Sequence, residues 1–139
     1  MEIITGYITF DTKGHSDIID ITRQVQQKIS NSGLQNGSVL IFVPGATGAL
    51  TTIEYEPGLV SDLQDALERI APQGLEYAHN LKWGDGNGHS HVRAALLGPD
   101  ITVPVREGGP FLGTWQQIIL VELDVKARNR TVHATVSGT

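Results

Sequence analysis

The 139-residue sequence contains no cysteine, which excludes disulfides, thiolate metal sites and cysteine nucleophiles and fits a reducing compartment. It has no apolar run near the roughly 18 residues of a membrane span, and its N-terminal segment, MEIITGYITFDTKGHSD, lacks a basic region leading into an apolar stretch. A cytoplasmic protein with no membrane partner is expected. Positive charge is also scarce: ten Lys and Arg stand against fifteen Asp and Glu, for a formal charge of -5. A general nucleic-acid binder would need a continuous positive surface, so nucleic acid is not an expected partner. The basic residues are scattered except for Lys126, Arg128 and Arg130, which leaves room for a local anion pocket. No repeat, low-complexity tract or linker is visible, and one domain spanning 1–139 is expected.

What is present reads as strands with inserted helices, hence an α+β domain. Residues 2 to 12 alternate as a strand, and 15 to 19 are suited to return as a second. Asp20 or Thr22 can cap a helix over 23 to 32, with Val25 and Ile29 on one face and Gly33 as its stop. The run SVLIFV, 38 to 43, is almost continuously apolar and predicts a central strand buried on both faces. Leu50 to Tyr55 favours another strand, and Pro57 starts a helix whose Leu59, Leu63, Ala66, Leu67 and Ile70 share a stripe until Pro72. Residues 92 to 97 predict a short helix. Beyond it, the alternation of Ile101, Val103 and Val105, then 117 to 125 and 131 to 136, predicts an antiparallel meander.

The stretch His79 to His91, HNLKWGDGNGHSH, gathers three of the five histidines and three glycines within thirteen residues. Imidazoles in a polar, Gly-rich loop on a rigid scaffold are suited to binding and proton transfer. His79, His89 and His91 with Asp85 form a ligand set for zinc or a similar divalent ion. Residues i and i+2 share a face only in an extended segment, so His89 and His91 can hold one ion only if His89 precedes the helix. An H-x-H pair fits surface residues equally well, and His15 and His133 read as bystanders. The run GATGALTT resembles a phosphate-cradling loop but lacks the P-loop lysine, and a tight connection between strands accounts for it as well. Glu54 and Glu56 precede a helix N-terminus, where capping is the default role; a Glu54 reaching the histidines becomes a general base. Trp83 and Trp115 are suited to packing, and Trp115, beside Gln116, also to walling a flat ring.

Three segments, GALTTIEYEPGL, YAHNLKWGDGNGHSHVRAALLG and VPVREGGPFLGTWQQIILVELD, occur in the order found in the YjbQ-like family of small uncharacterised proteins, which nearly the whole chain resembles. The resemblance implies a sandwich-like α+β domain with a largely antiparallel sheet and two or three helices. It implies a homotrimer with a divalent-metal site, zinc or magnesium, in a cleft shared between subunits. It also implies thiamine phosphate synthase activity, a transferase reaction joining an aminopyrimidine diphosphate to a thiazole phosphate; the alternative is a non-catalytic trimeric module that binds a metal or a small phosphorylated metabolite. Carried over, the family pattern makes Glu54, His79 and His91 catalytic candidates and matches its LGTWQ to Leu112 to Gln116. Thr47, Asn87, Trp115 and Gln116 are the substrate-binding candidates, and Tyr77 a second candidate for the ring pocket. One departure stands out. Many members carry histidine and two threonines where this chain has Gly45, Ala46 and Thr47, which casts His89 as a substitute. Near the focal stretch only Lys82 and Arg93 are available to hold phosphates.

Overall fold

A computed structural model describes all 139 residues. The elements run β1 (Glu2–Asp11), β2 (Asp17–Asp20), α1 (Thr22–Ser32), β3 (Gly37–Phe42), β4 (Gly48–Ile53), α2 (Pro57–Ile70), α3 (Ala78–Trp83), α4 (Gly88–Leu97), β5 (Asp100–Arg106), β6 (Gly109–Pro110), β7 (Gln117–Glu122) and β8 (Asn129–Gly138). The strands make two wholly antiparallel sheets, one ordered β1-β8-β3-β5-β6 and the other β2-β7-β4. The α+β sandwich is as expected, although the expected single sheet is two and the helices number four.

Between the sheets, Ile8, Val39, Ile41, Val103, Val132 and Val136 from the larger one meet Leu50, Ile118 and Leu120 from the smaller, and α1 adds Val25 and Ile29. The opposite face of the smaller sheet puts Ile119 and Val121 against Leu67 of α2 and Ala94 of α4. The strand buried on both faces is therefore β7. The expectation for 38 to 43 is half right: β3 is central in its sheet, but only Val39, Ile41 and Val43 of the run are buried, while Leu40 and Phe42 are each 41% exposed. Apolar residues on the uncovered face hid the alternation. Truncating a residue such as Leu120, fully enclosed between layers, costs about 2–5 kcal/mol in transfer and cavity terms.

The predicted meander is also corrected. β7 and β8 are not neighbours; residues 123 to 128 carry the chain from one sheet to the other. Most local signals elsewhere act as expected. Gly33 ends α1 at φ 73°, and Glu56 caps α2 by accepting from the N–H groups of Gly58 and Leu59 at 2.8 and 2.7 Å; at the start of α1, however, the N-cap position is Ile21 and carries no side-chain cap, although Asp20 accepts from the Thr22 N–H at 3.0 Å. In α2 the stripe is only partly covered, with Leu67 buried and Ile70 65% exposed.

The focal stretch departs most from expectation. It is two helices and a turn: α3 carries His79, and α4 starts at Gly88, four residues before the predicted helix. A Cβ on Gly88 would lie 2.4 Å from that of Tyr77, so glycine lets α4 begin directly against the residue preceding α3. The Gly88 N–H donates to Asn80 Oδ1 at 2.8 Å, locking the two helices together.

Candidate active-site cleft

Because α4 includes residue 89, His89 and His91 project about 200° apart around the helix and cannot share a ligand. His89 turns inward and is 3% exposed, its ring 6.4 Å from that of Tyr77. It lies on the same helix face as Arg93, four residues on. His91 turns the other way, into a cleft of about 390 Å³ lined by Gly45, Ala46, Thr47, His79, Trp83, Asp85, Asn87, Asp124, Arg128 and Arg130. The expected four-ligand set is thereby corrected: His79, His91 and Asp85 share this cleft, and His89 is outside it. No three His, Asp or Glu side chains converge as a metal site.

The rings of His79 and His91 stack with centroids 4.3 Å apart and planes tilted by 40°. His79 Nδ1 is buried without a hydrogen bond, and Asp85 Oδ1 is 3.7 Å from it. Burial, reinforced by the neighbouring His79, pushes the His91 pKa below the usual 6.5 against the opposing pull of Asp124 and Asp85, so its imidazole is neutral at pH 7.

The floor of the cleft comes from the far end of the chain. Glu122, the last residue of β7, is fully buried and accepts four hydrogen bonds: from Thr12 Oγ1 at 2.7 Å, Arg130 Nε at 2.8 Å, Arg130 Nη2 at 2.6 Å and the Asp124 N–H at 3.1 Å. Arg130 stands near the start of β8, so this pair bridges the two sheets. Its Nη2 also donates to Thr47 Oγ1 at 2.8 Å. Asp124 is held in turn by Arg128, which directs both Nε and Nη2 at Oδ2. Burial opposes the Asp124 charge, but hydrogen bonds from Arg128 and the Val125 N–H overcome it and set its pKa at about 2. Both guanidiniums are thus fixed from behind, while Nη1 of each makes no hydrogen bond within the protein.

A second groove, about 340 Å³, adjoins the first and shares Gly45, Ala46 and His91 with it. Its remaining walls are Gly48, Ala94, Ala95 and Pro99, small and without charge. One cavity system therefore has a charged lobe and an apolar lobe.

Of the residues singled out by sequence, His79, His91, Asp85, Thr47 and Asn87 are brought together; the Asn87 amide lies between Asp85 and Asp124, within reach of either carboxylate. Glu54, Trp115 and Gln116 are elsewhere on the protomer. Glu54 is exposed after β4, Trp115 is 72% exposed, and Gln116 donates to Thr52 Oγ1 at 3.0 Å beside a separate groove. Arg93 faces away from the cleft and is fully engaged, and Lys82 lies over the Trp83 ring. Sequence reading left out Asp124, and it noted Arg128 and Arg130 as a basic cluster with room for an anion pocket without placing them beside the histidines. Their signal was present: two arginines at i and i+2 share a face of an extended segment.

A family model described as UPF0047 protein YjbQ-like matches residues 6–139. The chain belongs to the YjbQ-like family. A UPF0047 protein of Methanothermobacter thermautotrophicus is 40% identical over 138 residues, 99% of this chain and 94% of that one. Another, from Archaeoglobus fulgidus, is 37% identical over 90% of this chain and 95% of its own. Among solved structures, a YbjQ-like protein of unknown function from Sulfolobus solfataricus superposes with a TM-score of 0.94 at 36% identity, covering 99% of each chain. A hypothetical protein from Aeropyrum pernix gives 0.91 at 34%, covering all of both. The YjbQ-like sandwich accounts for the two antiparallel sheets and their helices, and no helix in it is long and apolar enough to cross a membrane.

Proposed function

We propose that this YjbQ-like protein is a small-molecule enzyme acting on a phosphorylated metabolite, of the thiamine phosphate synthase kind. The observation that supports this most is the junction of the charged lobe and the small-residue lobe at Gly45, Ala46 and His91. A substrate with a flat ring and a diphosphate fits such a junction, ring in one lobe and oxygens in the other. In the reaction the bond from the pyrimidine methylene carbon to diphosphate oxygen breaks, a bond from that carbon to the thiazole nitrogen forms, and pyrophosphate leaves. Arg128 and Arg130, already oriented by Asp124 and Glu122, are placed to neutralise the leaving group, the electrostatic role that dominates such displacements. Neutral His91 at the junction is suited to hydrogen-bond the departing oxygen.

The donor set of one protomer does not fit a protein-held metal: the stacked imidazoles of His79 and His91 and the Asp85 carboxylate do not converge on one point. Glu54, Trp115 and Gln116 belong to this reading only through assembly, and we place them at the rim of a cleft completed by a neighbouring copy in a homotrimer.

The test is direct. Purified protein given aminopyrimidine diphosphate, thiazole phosphate and Mg ion makes thiamine phosphate, and His91→Ala does not; turnover at the level of a buffer control ends the enzyme reading. A second reading, a module that holds a phosphorylated metabolite without transforming it, is favoured by Gly45, which brings no side chain to the junction. Stabilisation by pyrophosphate without turnover would select it. Sedimentation at a monomer mass would remove the shared cleft from either reading.

A further inference from the structure

The glycine at position 45 is more than a missing side chain. Its φ is 119°, a backbone conformation that L-residues with a Cβ rarely adopt. A Cβ built there lies 2.8 Å from Arg130 Nη1, well inside van der Waals contact. Arg130 cannot simply swing aside, because Nε and Nη2 are committed to Glu122 and Thr47. Gly48 flanks the same guanidinium from β4, with a Cβ position 3.4 Å from its Cζ and no unusual φ. Two glycines therefore uncover one edge of a guanidinium that is otherwise buried to 9% exposure; Arg130 lines the charged lobe, and both glycines line the apolar one.

We propose that Gly45 is the specificity-determining position of the cleft, and that the uncovered Nη1 of Arg130 is the donor that grips the tetrahedral oxyanion of the ligand. Only a residue without a Cβ both accepts the local backbone and leaves the two N–H groups of Nη1 free for an incoming oxygen. Arg128 supplies the second donor edge at the wider mouth, where its side chain is 40% exposed. The ligand class follows from the donors. One fixed guanidinium edge suits carboxylate and phosphoryl oxygens alike, but two separate edges are spanned more fully by the several oxygens of a phosphoryl or diphosphoryl group than by a single carboxylate. This proposal rests on the cleft being the ligand site and does not require that the ligand be transformed there.

The test uses the full-length protein and inorganic pyrophosphate, with phosphate and acetate as comparison arms, by isothermal titration calorimetry. Wild type binds pyrophosphate more tightly than phosphate and shows no heat with acetate. Gly45→Ala and Arg130→Lys each weaken pyrophosphate at least tenfold, whereas Gly48→Ala, which adds a methyl group without a disfavoured φ, weakens it less. Because Gly45→Ala is strained and its folding is itself at risk, the unmodified protein carries an independent readout. In side-chain nitrogen NMR the Arg130 guanidinium signals shift on saturation with pyrophosphate and those of Arg93 do not. Unmoved Arg130 signals at saturation, affinity within twofold of wild type in a natively folded Gly45→Ala, or no oxyanion binding at all would each overturn the proposal. Gly45-dependent pyrophosphate binding without thiamine phosphate formation would instead leave it standing and remove only the enzyme reading.

Discussion

Two guanidinium clusters lie near helix α4, and they differ in what they leave unpaired. On one side Arg93 uses every nitrogen: Nε on the Ala71 carbonyl at 3.0 Å, Nη1 on Ser16 Oγ at 3.0 Å and Nη2 on Glu68 Oε2 at 2.6 Å. It ties α4 to α2 and to the loop before β2, where Ser16 is held at φ 62°. No cavity opens onto this cluster, and His89 packs beside it. On the other side Arg128 and Arg130 are held just as firmly by Asp124 and Glu122, yet Nη1 of each makes no hydrogen bond within the protein. A saturated arginine is a rivet, whereas an arginine saturated on all but one edge is a preset ligand group. The two histidines separate the same way, His89 with the rivet and His91 with the cleft.

The largest way to break the contrast is to remove Arg130. Arg130→Met leaves Glu122 buried and uncompensated, so unfolding free energy should fall by about 3–5 kcal/mol, with part recovered in the Glu122→Gln, Arg130→Met double variant. Denaturant unfolding measures both; equal stability of the single and double variants would show that stranded charge is not the cause. Next come the histidines. On the proposed enzyme reading, His91→Ala should lower thiamine phosphate formation by about a hundredfold or more, and His89→Ala should leave it in place while lowering the unfolding midpoint. The reverse pattern would exchange their roles.

Arg93→Met is the milder counterpart of Arg130→Met. Its partner Glu68 has a 54% exposed side chain and can turn to water. A loss of about 1–3 kcal/mol is expected from its unmade buried hydrogen bonds, with pyrophosphate affinity unchanged by calorimetry. The smallest effect is in pH. Burial lowers the pKa of both His89 and His91 from 6.5, helped by Arg93 beside one and His79 beside the other. The unfolded chain therefore takes up protons that the native histidines refuse. Stability falls as pH drops below about 6.5 and levels off below the native midpoints. Bound pyrophosphate should raise the NMR titration midpoint of His91 and leave that of His89 in place.

How much of this was legible in the sequence depends on range. Caps, turns and alternation speak over a few residues, so α1, the Glu56-capped α2 and the inward Val103 and Val105 of β5 were readable. α3 was not, because AHNLKW has no apolar period and its stability comes from docking on α4 through Gly88. The early start of α4 was hidden likewise, since Gly88, His89 and Ser90 supply no apolar stripe and the 3.6-residue pattern begins only at Val92. That hidden turn decided the fate of His89. Long range defeated the rest: 37 residues separate Asn87 from Asp124, and nothing local tells that 123 to 128 switch sheets. Arg128 and Arg130 were noticed as a basic cluster, but not as the floor beneath His79 and His91.

That switch between sheets has a last consequence. Glu122 closes one sheet and Arg130 opens the other, so the groups that would grip a ligand are also a strap across the whole sandwich. The buried amides at the two ends of that strap, Glu122 and Arg130, should therefore exchange with solvent far more slowly than those of the exposed segment 126 to 129 between them. Occupancy is then written into lifetime: a filled cleft slows global unfolding events, and with them proteolysis, so the protein's survival in a protease-containing mixture would report how much ligand is present.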